Sequence, residues 1–155
     1  MRHDDVTEIE IPTPVGPLLA TLRGELLQGV RFGRRARARG RESDVSRRIE
    51  AYFAGELDAL DRIRVDAGGT PFQQRVWTAL RCVPAGRTCS YSELAGEIGV
   101  PRAVRAVGLA NARNPIPLVV PCHRVIGKDG SLTGYGGGLW RKRWLLDHEG
   151  ARTSA

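Results

Sequence analysis

Cys122 and His123 stand side by side in "IPLVVPCHRVIG" (116–127), directly after a run of branched apolar residues. A free cysteine has an ordinary pKa of about 8.5, so a strong nucleophile needs a base or a positive field beside it. Neighbouring side chains of an extended strand point to opposite faces, so the pair can cooperate only if Pro121 ends the strand and "PCHR" forms a turn or a helix start, which would itself favour thiolate. The sequence predicts a buried strand at 115–120 whose exit presents the thiol. The alternative is an inert buried cysteine beside a surface histidine.

The other two cysteines, Cys82 and Cys89, lie in the connection "RCVPAGRTCS" (81–90), where nothing else marks them as reactive. Three cysteines are too few for a secreted disulfide scaffold, and with a histidine they lack the spacing of a zinc site. No stretch approaches the roughly 20 apolar residues of a membrane span, and the acidic N-terminus lacks a signal core. We therefore expect a cytoplasmic location, no membrane association, no metal and no other cofactor.

The excess positive charge is confined to the second half of the chain. Residues 1–70 carry 12 basic and 12 acidic side chains, whereas residues 71–155 carry 12 basic and only 5 acidic ones. A basic half is typical of proteins that bind an anionic partner such as nucleic acid. Because 22 of the 24 basic residues are arginine, codon bias is an alternative source of the charge, and the charge alone does not decide between them.

The first third of the chain predicts three short strands and one helix. The helix spans 43–57, begins with a cap at Ser43 or Asp44, and carries one apolar stripe. The strands alternate apolar and polar residues between Gly and Pro turns. Their predicted limits are 7–11, 17–23 and 26–32.

Two further segments bear on the domain organisation. Five arginines lie in 34–41, which we expect to form a solvated loop, with a DNA-contacting arm as the alternative. A strand and linker are predicted at 61–71, where the composition changes. The expected boundary separates an N-terminal α/β lobe at 1–66 from a C-terminal domain at 67–155.

The C-terminal domain is predicted to be mainly helical, with a glycine-rich loop at 131–140. The two middle helices are joined by a short turn containing "GVP", which matches a helix-turn-helix, although any compact αα-hairpin gives the same pattern. The second of them carries a strip of small residues, Ala103, Ala106 and Ala110, that would let it approach a narrow groove. Arg102, Arg105 and Arg113 project along its neighbouring faces. The predicted helices span 70–83, 90–99, 102–114 and 140–150.

The stretch "NPIPLVVPCHRV" resembles the active-site signature of the O6-alkylguanine-DNA alkyltransferases (methylated-DNA–protein-cysteine methyltransferases). Four more stretches occur in that family's order and at about its spacing: "GRTCSYSELA" (86–95), "RAVGLANARNPIP" (105–117), "GYGGG" (134–138) and "WLLDHEG" (144–150). The likeness covers 70–150 densely, and the N-terminal lobe only through "PVGPLLA" and "AYFAGEL". It implies an α/β (α+β) fold whose mainly helical C-terminal lobe carries the helix-turn-helix and the cysteine.

The resemblance implies roles for five catalytic residues. Cys122 is the alkyl acceptor, and His123 takes its proton through a water while Glu149 orients the imidazole. Asn114 braces the turn that holds the thiol. Tyr91 donates a proton or hydrogen bond to a guanine ring nitrogen as negative charge develops there.

The resemblance also implies a DNA-binding face and a substrate pocket. The helix-turn-helix enters the minor groove, and Arg105 replaces an extruded nucleotide in the base stack. The residues expected on that face are Arg105, Arg102, Ala103 and Ala106. Those expected to enclose the alkyl group are Tyr135, Gly136, Gly137 and Val125.

The implied activity is irreversible transfer of an alkyl group from O6-alkylguanine, and from O4-alkylthymine, to the protein's own cysteine. The partner is double-stranded DNA containing the lesion, bound by a monomer, with cooperative binding left open. The alternatives are a non-catalytic binder of alkylated DNA, which Cys122 argues against, and a cysteine hydrolase, which would have no use for the helix-turn-helix. The chain differs from some relatives in two ways. It has Gly136 where they have a side chain with a hydroxyl or a methyl group, and its N-terminal lobe has no cysteine, whereas some relatives hold a zinc ion there.

Overall fold

The computed structural model describes residues 5–33 and 43–151. The chain divides into two units, Met1–Gly68 with Pro115–Val119, and Gly69–Asn114 with Val120–Ala155. The expected mixed fold, with a small antiparallel sheet followed by helices, is confirmed. The arginine-rich segment 34–41 lies outside the described residues, so both hypotheses about it stay predictions. Within the described ranges, no helix has the length and apolar character needed to cross a bilayer.

The first unit is built on a three-stranded antiparallel sheet. Strands β1 (Val6–Ile11), β2 (Leu18–Arg23) and β3 (Leu26–Phe32) lie in chain order within it, close to their predicted limits. A two-residue turn joins β2 to β3, and Gly24 there has φ +60°, a conformation that favours glycine. Alternation along the strands buries Ile9 and Ile11 of β1 in the core of this unit.

Helix α1 (Asp44–Phe53) begins where its capping residues dictate. The Ser43 hydroxyl accepts from the Ser46 amide at 3.1 Å, and the Ser46 hydroxyl accepts from the Ser43 amide at 2.8 Å. Of the two caps the sequence allowed, Ser43 is therefore the one used. The predicted apolar stripe is buried at Val45, Ile49 and Tyr52.

The strand predicted at 61–71 was wrong. Only Val65 pairs, through an isolated parallel bridge to Leu27 of β3. Asp61 and Arg62 belong to a turn, and Gly68 and Gly69, in the part predicted as a linker, have positive φ, so only a short extended stretch lies between them.

The strand predicted at 115–120 was also wrong, although its burial was foreseen. Pro115, Pro117 and Pro121 offer no amide hydrogens to a ladder, and Leu118 has φ +76°, which breaks the extended path. The segment is instead held at its start, where the Pro115 carbonyl accepts from the Val30 amide at 3.0 Å. Its apolar side chains reflect burial rather than strand geometry. Those buried are Ile116, Leu118, Val119 and Val120.

The second unit contains four helices and a very short parallel ladder. Thr70 and Gln73 form a capping box at the start of the first helix, and Pro71 occupies its first position. All four helices are shorter than predicted, because residues counted at their ends are caps or lie beyond the caps, although the last helix begins one residue before its predicted start. The helices are α2 (Pro71–Arg81), α3 (Tyr91–Glu97), α4 (Val104–Ala112) and α5 (Leu139–His148). The ladder, which the sequence did not predict, pairs β4 (Cys89–Ser90) with β5 (Val125–Ile126).

Candidate active site

Cys122 begins a single 3₁₀ turn, Cys122–Arg124, that follows Pro121. The turn predicted for "PCHR" is therefore confirmed. The Cys122 amide donates to the Val120 carbonyl at 2.8 Å, and the Asn114 side-chain amide donates to the same carbonyl, also at 2.8 Å. On the other side of the turn, β5 pairs with β4. Asn114 thus lies where it can brace the turn that carries the thiol.

The Cys122 side chain is buried, and its surroundings have opposite effects on the pKa of its thiol. Burial raises the pKa of the thiol, while a hydrogen bond from Asn114 and the positive charge of Lys142 lower it; burial prevails. A three-residue turn has too few aligned peptides to reverse that balance. The resting group is therefore a thiol, which would have to lose its proton in order to act as a nucleophile.

His123 and Glu149 form a buried pair in which the imidazole Nε2 lies 2.8 Å from the Glu149 Oε2. Burial raises the pKa of Glu149, but hydrogen bonds from His123 and Arg124 outweigh it and hold that pKa far below the ordinary 4.5. Glu149 is thus a carboxylate that can only accept, so Nε2 carries the hydrogen. Burial lowers the pKa of His123 below 6.5, which leaves a neutral ring at pH 7.

This tautomer leaves the Nδ1 atom of His123 with a lone pair and no hydrogen. Among the described residues, no group hydrogen-bonds to that buried atom. A neutral imidazole fixed by a carboxylate, with its second nitrogen available, is the arrangement of a general base. The structure therefore brings together His123 and Glu149 as the resemblance implied.

Arg124 is a part of the site that the sequence reasoning missed. Its side chain is only 4% exposed, and its Nε and Nη2 atoms each donate to Glu149 at 2.9 Å. A third bond runs from Nη1 to the Val83 carbonyl at 2.6 Å. The bidentate guanidinium keeps Glu149 ionised and fixes its orientation toward His123.

Lys142 of α5 is the second charged residue that sequence reasoning missed, and it is completely buried. Its Nζ atom donates to the Val125 carbonyl at 2.6 Å, the Thr133 carbonyl at 3.2 Å and the Thr133 hydroxyl at 3.3 Å. Burial lowers its pKa to about 8, and its charge acts on Cys122. The resemblance gave no role to this position.

The remaining candidates come from two further segments, and of these Tyr135 lies near the thiol. The hydroxyl oxygen of Tyr135 is buried, and burial, followed by the proximity of Cys122, raises its pKa well above 10.0, so the phenol stays neutral. Tyr91 opens α3, and its hydroxyl lies 2.7 Å from the Thr133 hydroxyl. A side chain added at Gly136 would meet nothing within 4 Å, so the substitution seen in some relatives would fit.

The carbonyl groups of Gly137 and Val125 accept hydrogen bonds from side chains of α5. The Gly137 carbonyl accepts from Nη1 of Arg141 at 2.8 Å, which ties the glycine-rich loop to α5. The Val125 side chain is fully buried in β5, beside the turn, and its carbonyl holds Lys142. Whether these residues line an alkyl pocket stays a prediction.

Helices α3 and α4 form the helix-turn-helix, whose first helix is capped by Ser90 and Glu93. Arg105 and Ala106 are exposed on α4, but Arg102 lies in the preceding turn and Ala103 is the N-cap residue. The alanine strip does not continue along the surface as predicted. Ala110 is buried, because its turn of α4 packs on α2, where the Trp77 indole donates to the Ala110 carbonyl at 2.8 Å.

The exposed face of α4 also contains an apolar residue that the sequence analysis overlooked. Leu109 is 53% exposed, one helical turn after Arg105. Its exposure beside arginines could have been inferred from the helical spacing, since i and i+4 share a face. Arginine and small or apolar side chains together suit a nucleic-acid groove better than a purely charged face would.

Metal ligation finds no support in the parts of the chain that the structure describes. Across residues 5–33 and 43–151, no three His, Cys, Asp or Glu side chains cluster as metal ligands would. Cys82 is exposed, Cys89 is half-buried and Cys122 is buried.

A protein-family model described as the DNA-binding domain of 6-O-methylguanine DNA methyltransferase matches residues 71–151. The methylated-DNA–protein-cysteine methyltransferase of Mycobacterium tuberculosis is 48% identical over 154 residues, covering 94% of this chain and 93% of that one.

Solved structures give the same result. A crystal structure of Mycobacterium tuberculosis O6-methylguanine methyltransferase matches with a TM-score of 0.83 and 46% identity, covering 97% of this chain and 96% of that one. A crystal structure of Mycobacterium tuberculosis OGT in complex with DNA matches with a TM-score of 0.82 and 48% identity, covering 92% of each chain.

Proposed function

The chain belongs to the methylated-DNA–protein-cysteine methyltransferase family, and we propose that Cys122 is the residue onto which it transfers the alkyl group. It is a DNA-repair protein that removes alkyl groups from O6-alkylguanine in DNA. The observation that carries the assignment to Cys122 is the arrangement around it. The buried Cys122 thiol forms a hydrogen bond with Asn114 and lies within the electrostatic influence of Lys142. The next residue, His123, is a neutral histidine held by the carboxylate of Glu149.

The transfer is a displacement at the alkyl carbon. The thiol proton passes, through a water, to Nδ1 of His123, and Glu149 stabilises the imidazolium that forms. The sulfur lone pair forms the new C–S bond while the bond between that carbon and O6 breaks. A thioether is not readily hydrolysed, so each molecule acts once.

The electrons of the broken bond pass into the guanine ring, which must be stabilised as an anion. We assign this to Tyr91, whose hydroxyl would give a hydrogen bond or proton to a ring nitrogen. Because the phenol of Tyr135 stays neutral, it adds no negative charge to the pocket.

The alkyl carbon lies inside the duplex, so the damaged nucleotide must be flipped out before the sulfur can reach it. We propose that α4 enters the minor groove and that Arg105, exposed on that helix, fills the gap in the stack. Arg102, Ala103 and Ala106 would contact the backbone and groove walls. One molecule is enough for these steps, so we expect a monomer. Because the protein acts on DNA and needs a reduced cysteine, we expect it in the cytoplasm, where thiols stay reduced.

The test is an intact-mass measurement after mixing the protein with a duplex containing one O6-methylguanine. We expect one methyl group to replace the thiol hydrogen on the peptide that contains Cys122, with saturation at one equivalent of lesion. Unmodified protein that binds the duplex would instead indicate a non-catalytic binder. Removal of many lesions per protein molecule would indicate a hydrolase.

A further inference from the structure

The Thr133 hydroxyl lies between the side chains of Tyr91 and Lys142 and is within hydrogen-bond distance of both. The Tyr91 hydroxyl is 2.7 Å from the Thr133 Oγ1 atom, and the Lys142 Nζ atom is 3.3 Å from the same oxygen. Thr133 comes from the loop after β5, Tyr91 from the start of α3, and Lys142 from α5. One hydroxyl therefore connects three separate segments.

The bond from Lys142 to Thr133 has a fixed direction, whereas either hydroxyl could be the donor between Thr133 and Tyr91. An ammonium has three hydrogens to donate and cannot accept, and Lys142 has three acceptors, Thr133 Oγ1 among them. The Thr133 oxygen therefore accepts from Lys142 and keeps one hydrogen to donate. Within the described ranges, its one other recorded partner is the Tyr91 hydroxyl. With the Tyr91 oxygen as the acceptor for that hydrogen, the phenol keeps its own hydrogen for a substrate; because Thr133 Oγ1 has a second lone pair, donation from Tyr91 to Thr133 is the alternative that the test must exclude.

We propose that Thr133 is a positioning residue that passes a hydrogen bond from Lys142 to Tyr91, so that the Tyr91 hydrogen points to the alkylated base. The proposal rests on the proposed function, because it concerns the group that stabilises the departing guanine. Bonds in such a chain polarise one another, so a phenol that accepts from Thr133 donates more strongly. In this arrangement the Tyr91 hydrogen points away from Thr133.

Two further contacts hold this chain in place. Lys142 also binds the Thr133 carbonyl, so both oxygen atoms of Thr133 are held by one cation. The Tyr91 ring lies beside Gly108 of α4, where an added Cβ would be 3.6 Å from the ring. The orientation of the Tyr91 hydroxyl is thus set by Thr133.

The test compares Thr133→Val with Thr133→Ser, each with Tyr91 intact and with Tyr91→Phe. Valine keeps the shape of threonine but removes the hydroxyl, whereas serine restores it. With Tyr91 intact, we expect single-turnover transfer from an O6-methylguanine duplex to slow about 10-fold for valine, the size of one hydrogen bond, and to stay within about twofold for serine. With Tyr91→Phe, valine should change the rate by less than about twofold, because the group it positions is gone.

Equal losses from Thr133→Val in both backgrounds would overturn the proposal, since Thr133 would then act on something other than Tyr91. A wild-type rate for Thr133→Val would overturn it as well. Each transfer rate is divided by the rate of its own parent protein, so these outcomes test the role of Thr133 alone. The proposed function fails by a different result, in which wild-type Cys122 takes no methyl group.

A measurement without substrate tests the same contact. The chain has three tyrosines, so protein labelled with ¹³C at tyrosine Cζ gives three signals, and Tyr91→Phe identifies one of them. Thr133→Val should move the Tyr91 signal and leave that of Tyr52, in α1, unchanged. An unmoved Tyr91 signal would contradict the hydrogen bond, and a moved Tyr52 signal would show that the substitution acts by general disturbance.

Discussion

Replacing Glu149 by glutamine tests the buried charge cluster of the site. Glu149 is 4% exposed and accepts three hydrogen bonds, one from His123 at 2.8 Å and two from Arg124 at 2.9 Å. Glutamine has one oxygen and one NH₂ group, so in either orientation the NH₂ group faces a donor. Arg124, also buried, loses the only recorded carboxylate partner among the described residues.

The size of the effect follows from that loss. Breaking a buried charge pair by removing one partner costs about 3–5 kcal/mol of unfolding free energy. For a chain of this size, each kcal/mol lowers Tm by roughly 2–4 °C, so we expect Tm to fall by about 6–20 °C. Transfer should also slow on the order of 100-fold, because His123 loses the carboxylate that fixes its tautomer. Affinity for the duplex should change little.

Urea unfolding and single-turnover transfer measure the two effects, and Asp147→Asn is the matched control. Asp147 is an exposed residue of α5, whose C-cap is Glu149, so its amide variant removes the same charge and should stay within about 0.5 kcal/mol of wild type. If Glu149→Gln unfolded within about 1 kcal/mol of wild type and transferred at the wild-type rate, the role given to Glu149 would be refuted.

Two more predictions concern acid and DNA. The pKa values of His123 and Glu149 both lie below their ordinary values of 6.5 and 4.5. In acid the unfolded chain therefore binds more protons than the folded chain does. Urea unfolding should show a free energy of unfolding that falls from about pH 6.5 downward. A stability that stayed level down to about pH 4.5 would contradict the His123 shift, and a stability that did not fall further below about pH 4.5 would contradict the Glu149 shift. Arg105→Ala should slow transfer from an O6-methylguanine duplex far more than transfer from free O6-benzylguanine, with Arg62→Ala as the exposed control in the other unit. An equal loss on both substrates would remove Arg105 from nucleotide extrusion.

The local signals that predicted elements correctly are those in which one residue satisfies a specific backbone need. Ser43 accepts from the third amide of its helix, and Gly24 allows the tight turn between β2 and β3. These requirements are short-range, so a single sequence reveals them.

The segment 115–120 shows where such reasoning stopped. Its apolar residues indicated burial, but burial does not specify strand geometry. The three prolines were visible, yet the φ of +76° at Leu118 depends on how the chain must turn to place Cys122. The order of the site along the chain was thus predictable, and its backbone path was not.

The site residues Cys122, His123 and Glu149 came from a resemblance of motifs, whereas Arg124 and Lys142 needed the structure. Arginine and lysine are ordinarily exposed, and burial of a charge depends on partners far along the chain. One signal was available for Lys142. It shares a helix face with Leu145, Leu146 and Glu149, at spacings of three, four and seven residues, and all four are buried.

Lesion removal by cysteine variants tests most directly that the Cys122 sulfur accepts the alkyl group. Cys122→Ser keeps the size of the side chain but replaces the nucleophilic sulfur, while Cys82→Ser combined with Cys89→Ser leaves Cys122 as the sole cysteine. We predict that the first variant leaves O6-methylguanine in the duplex unrepaired and that the second removes one equivalent at the wild-type rate. Repair by Cys122→Ser, or a methyl group found on Cys82 or Cys89 of the wild-type protein, would contradict the assignment.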